Sequence, residues 1–204
     1  MNLFTLIGVM LVGYLLGAIP FAVIIARRHG VDILKAGSGN PGATNVKRVL
    51  GKTAGNACFA LDVLKGFIAT ILPRLLIADE SALAFAILGL VGAILGHSFS
   101  VFIGFKGGKG VAVTMGGLLA LAPLVLLCGL LIWVATFYTS RYVSLASIVF
   151  GVSLPLIALM TGSPGLLIGF LVLLAALIVL RHRSNIQRLI AGTENRFSKK
   201  DKPE

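Results

Sequence analysis

Long apolar runs follow one another along the chain, over residues 3–26, 56–77, 82–105, 111–139, 143–160 and 166–180, with short polar or basic stretches between them. A helix needs about 20 apolar residues to cross the hydrocarbon core of a bilayer, and these runs are of that order. The ten-residue, period-two segments that a membrane barrel requires are absent from the pattern. It therefore predicts an all-α integral membrane protein, a polytopic helical bundle.

The distribution of charge between the runs sets the expected topology. Residues 27–52 carry six basic residues and one acid, and residues from 181 onward carry seven and three. Lys and Arg accumulate in short cytoplasmic segments, so both stretches are expected on the cytoplasmic side, and the turn at Asp79 and Glu80 outside. No basic residue precedes the first run, and Arg27 and Arg28 follow it. That arrangement argues against a cleaved signal peptide and for a first span with its N-terminus outside. Six single crossings would then strand the basic C-terminus outside. Residues 111–139, interrupted by Pro123, are long for one helix and are read as two shorter ones, a full crossing or a re-entrant packing of the first piece both being open. The expectation is about seven transmembrane helices, N-terminus outside and C-terminus cytoplasmic. Residues 1–195 are expected to form a single transmembrane bundle with a cytoplasmic-face active site, and 196–204 a flexible basic tail.

Composition reinforces this class and removes others. The 204 residues are 57% hydrophobic and 12% charged, with a mean hydropathy of +1.01, more apolar surface than one soluble core can hide. The net charge of +11 would suggest nucleic acid in a soluble protein. Here it reads first as a topology signal, and no nucleic-acid partner is expected. Cys58 and Cys128 both lie in apolar runs, where they act as small hydrophobes.

Three polar clusters interrupt the hydrophobic pattern. The first, GSGNPGATNVKR at 37–48, matches G-x-G-x-x-G at Gly37, Gly39 and Gly42, but no strand-helix-strand unit surrounds it and the dinucleotide fingerprint is rejected. It is either a flexible turn or a ligand loop in which Ser38, Thr44 and Asn45 offer hydrogen bonds, glycines let backbone N–H groups approach, and Arg48 grips phosphate. The second, GHSFSVFIGFKGGKGVA at 96–112, carries Lys106 and Lys109 in a glycine-rich turn that opens an apolar helix. A helix N-terminus favours an anion, which points to a phosphate cradle, whereas lysines serving only as interfacial anchors would need no glycines around them. Neither this turn nor Gly51-Lys52-Thr53 fits the Walker spacing, so nucleotide hydrolysis is not expected. His97 is left open between structure and function. The third, RHRSNIQRLIAGTENRF at 181–197, puts His182, Asn185 and Arg188 on one helical face, suited either to an anion or to an anionic lipid surface. Glu194 is placed to tie loops together through an arginine. Ser144 and Ser147 open another run, and Asp62 and Lys65, three residues apart within an apolar run, read most simply as a mutually neutralising pair.

In this order and on this hydrophobic background, GSGNPGATN with Arg48, GHSFSVFIGFKGGKG and HRSNIQRLIAGTE closely resemble the bacterial acyl-phosphate:glycerol-3-phosphate acyltransferases, the PlsY family, over nearly the whole chain. The resemblance implies transfer of a fatty acyl group from acyl phosphate to the 1-hydroxyl of glycerol 3-phosphate in the bacterial cell membrane. It implies no metal, nucleotide or other cofactor, and its partners are the two substrates and membrane lipid. By the same resemblance Ser38, Arg48, Lys109, His182 and Asn185 are the catalytic set and hold glycerol 3-phosphate. Gly107, Gly108 and Gly110, with Lys106, would hold the donor's phosphate. Asn40, Thr44, Asn45 and Ser147 are counted as substrate-binding, and Glu194 as bracing the site.

The residues fit two other classes less well. A transporter of phosphorylated metabolites would be expected to place its basic residues near the bilayer midplane, often with an internal repeat, whereas these motifs gather at one face. An alcohol phosphotransferase would need several acids spaced for metal, and the first loop has only Asp32. A thioester-using acyltransferase commonly carries His-x-x-x-x-Asp, but the residues five positions after His29, His97 and His182 are Leu34, Phe102 and Gln187.

Overall fold

The computed structural model describes residues 3–77 and 79–197, all of them in helices, turns and connecting loops apart from one isolated β-bridge between Ser100 and Lys106. The expected flexible tail lies outside the described residues from position 198 on. At its start the Phe197 N–H donates to the Arg141 carbonyl at 3.0 Å, and the Arg196 guanidinium lies over the Tyr142 ring. The helices group into two compact units, Met1–Leu121 and Ala122–Glu204.

The first unit contains α1 (Leu3–Ala18), α2 (Phe21–Arg28), α3 (Ala43–Leu50), α4 (Lys52–Leu76), α5 (Ala82–Ser98), a 3-10 turn (Val101–Ile103) and α6 (Val111–Leu121). Helices in lipid gain nothing from hydrophobic burial against one another, so they associate where small residues let backbones approach. That is how this unit is built. A methyl group on Gly13 or Gly17 of α1 would run into the Gly89 or Ala93 carbonyl of α5, and one on Gly66 of α4 or Gly116 of α6 would meet the other helix's backbone. Around the starts of α3 and α4, Ala22, Val23, Ala26, Ile33, Val46 and Cys58 form a small apolar core.

The second unit contains α7 (Pro123–Ser140), α8 (Val143–Met160), α9 (Gly165–Arg181) and α10 (Arg183–Ile190). Phe150, Leu154, Leu171 and Ile178 are fully buried between α8 and its neighbours. Gly129 fits against Phe150 and Leu154, and Gly151 against Ile178. The last two helices meet at 58°.

The hydrophobic pattern located the apolar stretches and the break at Pro123, but not the other breaks. The run at 3–26 is two helices, parted at Ile19 and Pro20, because proline has no N–H for the helix ladder and its ring crowds the preceding turn. The stretch at 27–52, expected as loop, contains α3 and the first residue of α4, and the run at 82–105 ends as a helix at Ser98. Residues 111–139 are two helices as expected, with Pro123 as the first residue of α7. Three stretches are long and apolar enough to cross a bilayer, namely Leu3–Arg28, Pro123–Ser140 and Val143–Met160. Gly165–Arg181 with Arg183–Ile190 makes a fourth if the bent pair counts as one. α5 and α6 are apolar but shorter, 17 and 11 residues.

Candidate functional site

The loop before α3 is organised by one buried amide. Asn45 is 1% exposed, its Oδ1 accepts the Ser38 N–H at 2.9 Å, and its Nδ2 donates to the Ala36 and Ile33 carbonyls at 2.9 and 3.3 Å. A buried amide satisfied on all three sides fixes the backbone around it. Gly37 and Gly39 turn the chain through positive φ here, and a side chain on Gly37 would occupy the place of the Asn45 carbonyl oxygen. The Ser38 side chain is exposed, as is Arg48 on α3, while Asn40 and Thr44 are half-buried.

The glycine-rich turn is held as tightly. After α5 the chain makes a narrow knuckle in which the Phe105 N–H donates to the Ser100 carbonyl at 2.8 Å and the Ser100 N–H to Lys106 at 3.3 Å. The knuckle is moored to α1 by the Ser100 hydroxyl, which donates to the Ala18 carbonyl at 2.6 Å, and by the Tyr14 hydroxyl, which donates to Phe99 at 2.8 Å. The Ala18 carbonyl used by Ser100 lies beside the Pro20 break. Gly110, at φ 80°, then turns the chain into α6, leaving the N–H groups of the first turn at the mouth of the loop. Gly107 and Gly108 lie on the end of α5 so closely that a methyl on either would overlap the His97 or Ser98 backbone or the His97 ring. Lys106 is exposed and Lys109 half-buried.

Below this turn lies a cleft lined by Ile19, Asp62, Lys65, His97, Gly107 and Gly108, among others, with about 10 Å³ of room, enough for roughly one water molecule. Lys65 Nζ is 2.8 Å from Asp62 Oδ1 and donates to the Ile19 carbonyl at 3.0 Å. His97 Nδ1 is 3.7 Å from the same carboxylate oxygen.

In the second unit Glu194 gathers the polar residues. Its Oε1 accepts from Asn185 Nδ2 at 2.6 Å and from the Ser144 hydroxyl at 2.8 Å, and its Oε2 accepts from Arg188 Nε at 2.7 Å. Burial works to raise the carboxyl pKa, but the hydrogen bonds from Asn185, Ser144 and Arg188, with the Arg188 charge, outweigh it and hold the group below the usual carboxylate range. His182, at the bend between α9 and α10, donates from Nδ1 to the Ile178 carbonyl at 2.8 Å, so in the neutral ring Nε2 is an acceptor. Ser147 Oγ accepts from Trp133 Nε1 at 3.3 Å.

The structure thus brings Asn45 to Ser38 within the first unit, and Asn185 and Arg188 to Glu194 within the second. The arginine pairing foreseen for Glu194 is with Arg188. Of the two neighbouring serines on α8, Ser144 reaches this carboxylate and Ser147 reaches Trp133. Sequence reasoning gave no site role to Asp62, Lys65 or Ser100, and it left His97 open. The available signal was the charged pair itself, since an ionisable residue inside an apolar run is a functional candidate by default. Among the described residues no group of three or more His, Cys, Asp or Glu is placed to hold a metal ion.

An apolar helical protein with a hydroxyl- and arginine-bearing loop, a glycine-lysine turn opening a helix and a Ser-Asn-Arg cluster on one glutamate has the outline of an integral membrane protein with anion-binding loops. Comparison with known proteins names the family. The family model described as "Glycerol-3-phosphate acyltransferase" matches residues 7–192. The glycerol-3-phosphate acyltransferase of Aquifex aeolicus (strain VF5) is 46% identical over 186 residues, 90% of this chain and 95% of the relative, and that of Geobacter sulfurreducens (strain ATCC 51573 / DSM 12127 / PCA) is 44% identical over 187 residues, 91% and 94%. A crystal structure of PlsY, an integral membrane glycerol 3-phosphate acyltransferase, in its glycerol 3-phosphate form is 42% identical and superposes with a TM-score of 0.89, covering 95% of this chain and 96% of that one. Its lysophosphatidic acid form superposes with a TM-score of 0.87. The chain belongs to the glycerol-3-phosphate acyltransferase family of the PlsY type, integral membrane acyltransferases of phospholipid synthesis.

Proposed function

We propose that this acyltransferase takes its acyl group from acyl phosphate and places it on the 1-hydroxyl of sn-glycerol 3-phosphate, at the cytoplasmic face of a bacterial cell membrane. The observation that carries the donor assignment is the turn at Gly107, Gly108 and Gly110. Gly107 and Gly108 sit where no side chain fits, and Gly110, at positive φ, delivers the chain into the N-terminus of α6, a geometry suited to a small, compact phosphate. Lys106 and Lys109 add positive charge to it. A thioester donor would instead need room for a long pantetheine arm.

Glycerol 3-phosphate is assigned to Ser38, Arg48 and Lys109, with Asn40 and Thr44 beside them. Asn45 acts by fixing the backbone of the loop that presents Ser38. His182 and Asn185 are assigned to the same reaction, with Ser147 and Glu194 supporting them, Glu194 as the carboxylate that orients Asn185 and Arg188. In the step itself the glycerol hydroxyl oxygen attacks the acyl carbonyl carbon and the bond from that carbon to the donor's phosphate oxygen breaks. Inorganic phosphate leaves. The hydroxyl proton passes to a phosphate dianion, whose pKa near about 6, by analogy with phosphoserine, suits it as a base. A mixed anhydride carries its own good leaving group, so the protein's task is alignment and anion stabilisation. Arginine, lysine and backbone N–H groups are the residues for that task.

Residues 1–195 are proposed to act as one functional domain crossing the membrane seven times, N-terminus outside and C-terminus in the cytoplasm. The separation of α6 from α7 at Pro123 supports that count. The donor is tested by giving the purified protein glycerol 3-phosphate with either palmitoyl phosphate or palmitoyl-CoA. Product from the acyl phosphate alone is expected. Comparable turnover with both donors would overturn the reading of the glycine turn.

A further inference from the structure

Glu194 gathers three side chains, yet it stands outside every helix. α10 ends at Ile190 and is closed by Gly192, at φ 70°, whose N–H donates to the Leu189 carbonyl at 3.2 Å, while the Thr193 N–H donates to Arg188 at 2.8 Å. Beyond that cap no helical ladder orders the chain, and a carboxylate on an irregular segment keeps its place only if the segment is itself fastened. The fastening comes two and three residues later. The Arg196 guanidinium lies 5.8 Å from the Tyr142 ring centre. The Phe197 N–H donates to the Arg141 carbonyl at 3.0 Å, and the Phe197 ring meets Phe137 edge-on, with centres 6.0 Å apart. Arg141 caps α7 in the left-handed region, at φ 66°, a conformation that costs a non-glycine residue energy and needs support from its surroundings. Phe137 in turn stacks on Trp133 at 5.3 Å, and Trp133 Nε1 donates to Ser147. Residues 194–197 therefore reach α8 by two routes, through Glu194 at Ser144 and through Phe197, Phe137 and Trp133 at Ser147. All of these contacts lie within the second unit.

We infer that Phe197 is a positioning residue for the acyl transfer, the bolt that keeps Glu194 on Asn185 and steadies Ser147, so that the functional domain runs to residue 197 rather than ending at 195. This role presupposes the assignment of Asn185 and Ser147 to the reaction, whichever substrate they meet. Asn185 Nδ2 is committed to Glu194 Oε1 at 2.6 Å, and that bond sets which way the amide faces. Release of residues 196 and 197 frees Glu194 to leave with the segment, and the Asn185 amide then loses its reference. A misplacement of about 1 Å in a group that aligns substrate can cost on the order of a hundredfold in rate. Phe197 acts through Glu194 and Trp133 rather than on the substrate.

Two truncations bracket the residue. Removing 198–204 spares Phe197, and removing 196–204 takes Arg196 and Phe197 while leaving Glu194. Trp133 is the only tryptophan in the sequence, so quenching of its fluorescence by acrylamide reads the aromatic row directly. Purified wild type and variants are assayed in detergent with glycerol 3-phosphate and palmitoyl phosphate, at a temperature below every measured melting point. The 198–204 deletion is expected to match the wild type in kcat and in quenching. The 196–204 deletion and Phe197→Ala are expected to lose roughly tenfold or more in kcat and to open Trp133 to the quencher, whereas Phe197→Tyr, which keeps the ring, retains both. In the double variant the losses from Phe197→Ala and Glu194→Gln should not multiply, because both act on the same amide. Should the 196–204 deletion or Phe197→Ala fail to fold, Phe197→Leu, which keeps apolar bulk and removes the aromatic edge, takes its place. Wild-type kcat in these variants, an equal loss already in the 198–204 deletion, or losses that multiply fully with Glu194→Gln overturns the role of Phe197. Wild-type turnover in Asn185→Ala overturns instead the assignment of Asn185 to the reaction, whatever the Phe197 variants do.

Discussion

Replacing Glu194 with glutamine isolates what its charge does. The side chain is 6% exposed and accepts three hydrogen bonds, from Ser144, Asn185 and Arg188. Glutamine keeps one acceptor oxygen, which satisfies either Ser144 and Asn185 or Arg188, and turns an NH₂ toward the remaining donors. At least one charge-assisted bond is lost, worth about 1.5–3 kcal/mol. Because the Arg188 side chain is 37% exposed, solvent compensates part of the loss, and about 2 kcal/mol is the expected cost. For a chain of this length that is a drop in Tm of about 4–8 °C. The pH dependence gives a second reading. The folded-state pKa of Glu194 is depressed, so its contribution is fully present above the ordinary carboxylate value of 4.5 and disappears as pH falls through the lower folded value. Melting curves of the wild type and Glu194→Gln in detergent should therefore lie apart at pH 7 and draw together below pH 4.5. Coincident curves at pH 7, or a gap that widens on acidification, would refute the bracing role.

In turnover assays, Arg48→Ala and Lys109→Ala are each expected to lose about 10- to 150-fold, the equivalent of one charge-assisted contact worth about 1.5–3 kcal/mol, with Lys106→Ala milder because Lys106 adds positive charge as an interfacial anchor and is not assigned a direct phosphate contact; normal activity in folded Arg48→Ala would remove it from the substrate site. Gly17→Val should force α1 from the Ala93 carbonyl of α5 and cost about 1–3 kcal/mol, and an unchanged melting temperature would contradict the close helix approach. An impermeant thiol reagent should fail to label a cysteine at position 200 in intact cells, and ready labelling there would sink the seven-crossing topology.

Hydropathy and charge alone established that this chain is helical and belongs in a membrane, because a 20-residue apolar run has no other stable place. The three polar clusters also announced themselves, since lysines, arginines and amides are costly in lipid and stand out against it. The break at Pro123 was legible for the same kind of local reason: proline at N1 is a starting signal that needs no partner. What the sequence could not specify is which polar groups answer each other across many residues. Asn45 reads as a ligand residue until its amide is seen closing on Ser38, Ala36 and Ile33. Asp62 and Lys65 read as a self-contained pair until the Pro20 break supplies a carbonyl to one and α5 brings His97 to the other. Serine spacing on α8 could not separate Ser144 from Ser147, because only the fold decides which of them reaches Glu194. Propensity and hydropathy are properties of neighbours along the chain, whereas satisfaction of a buried polar group is a property of whatever the fold places within about 3 Å of it.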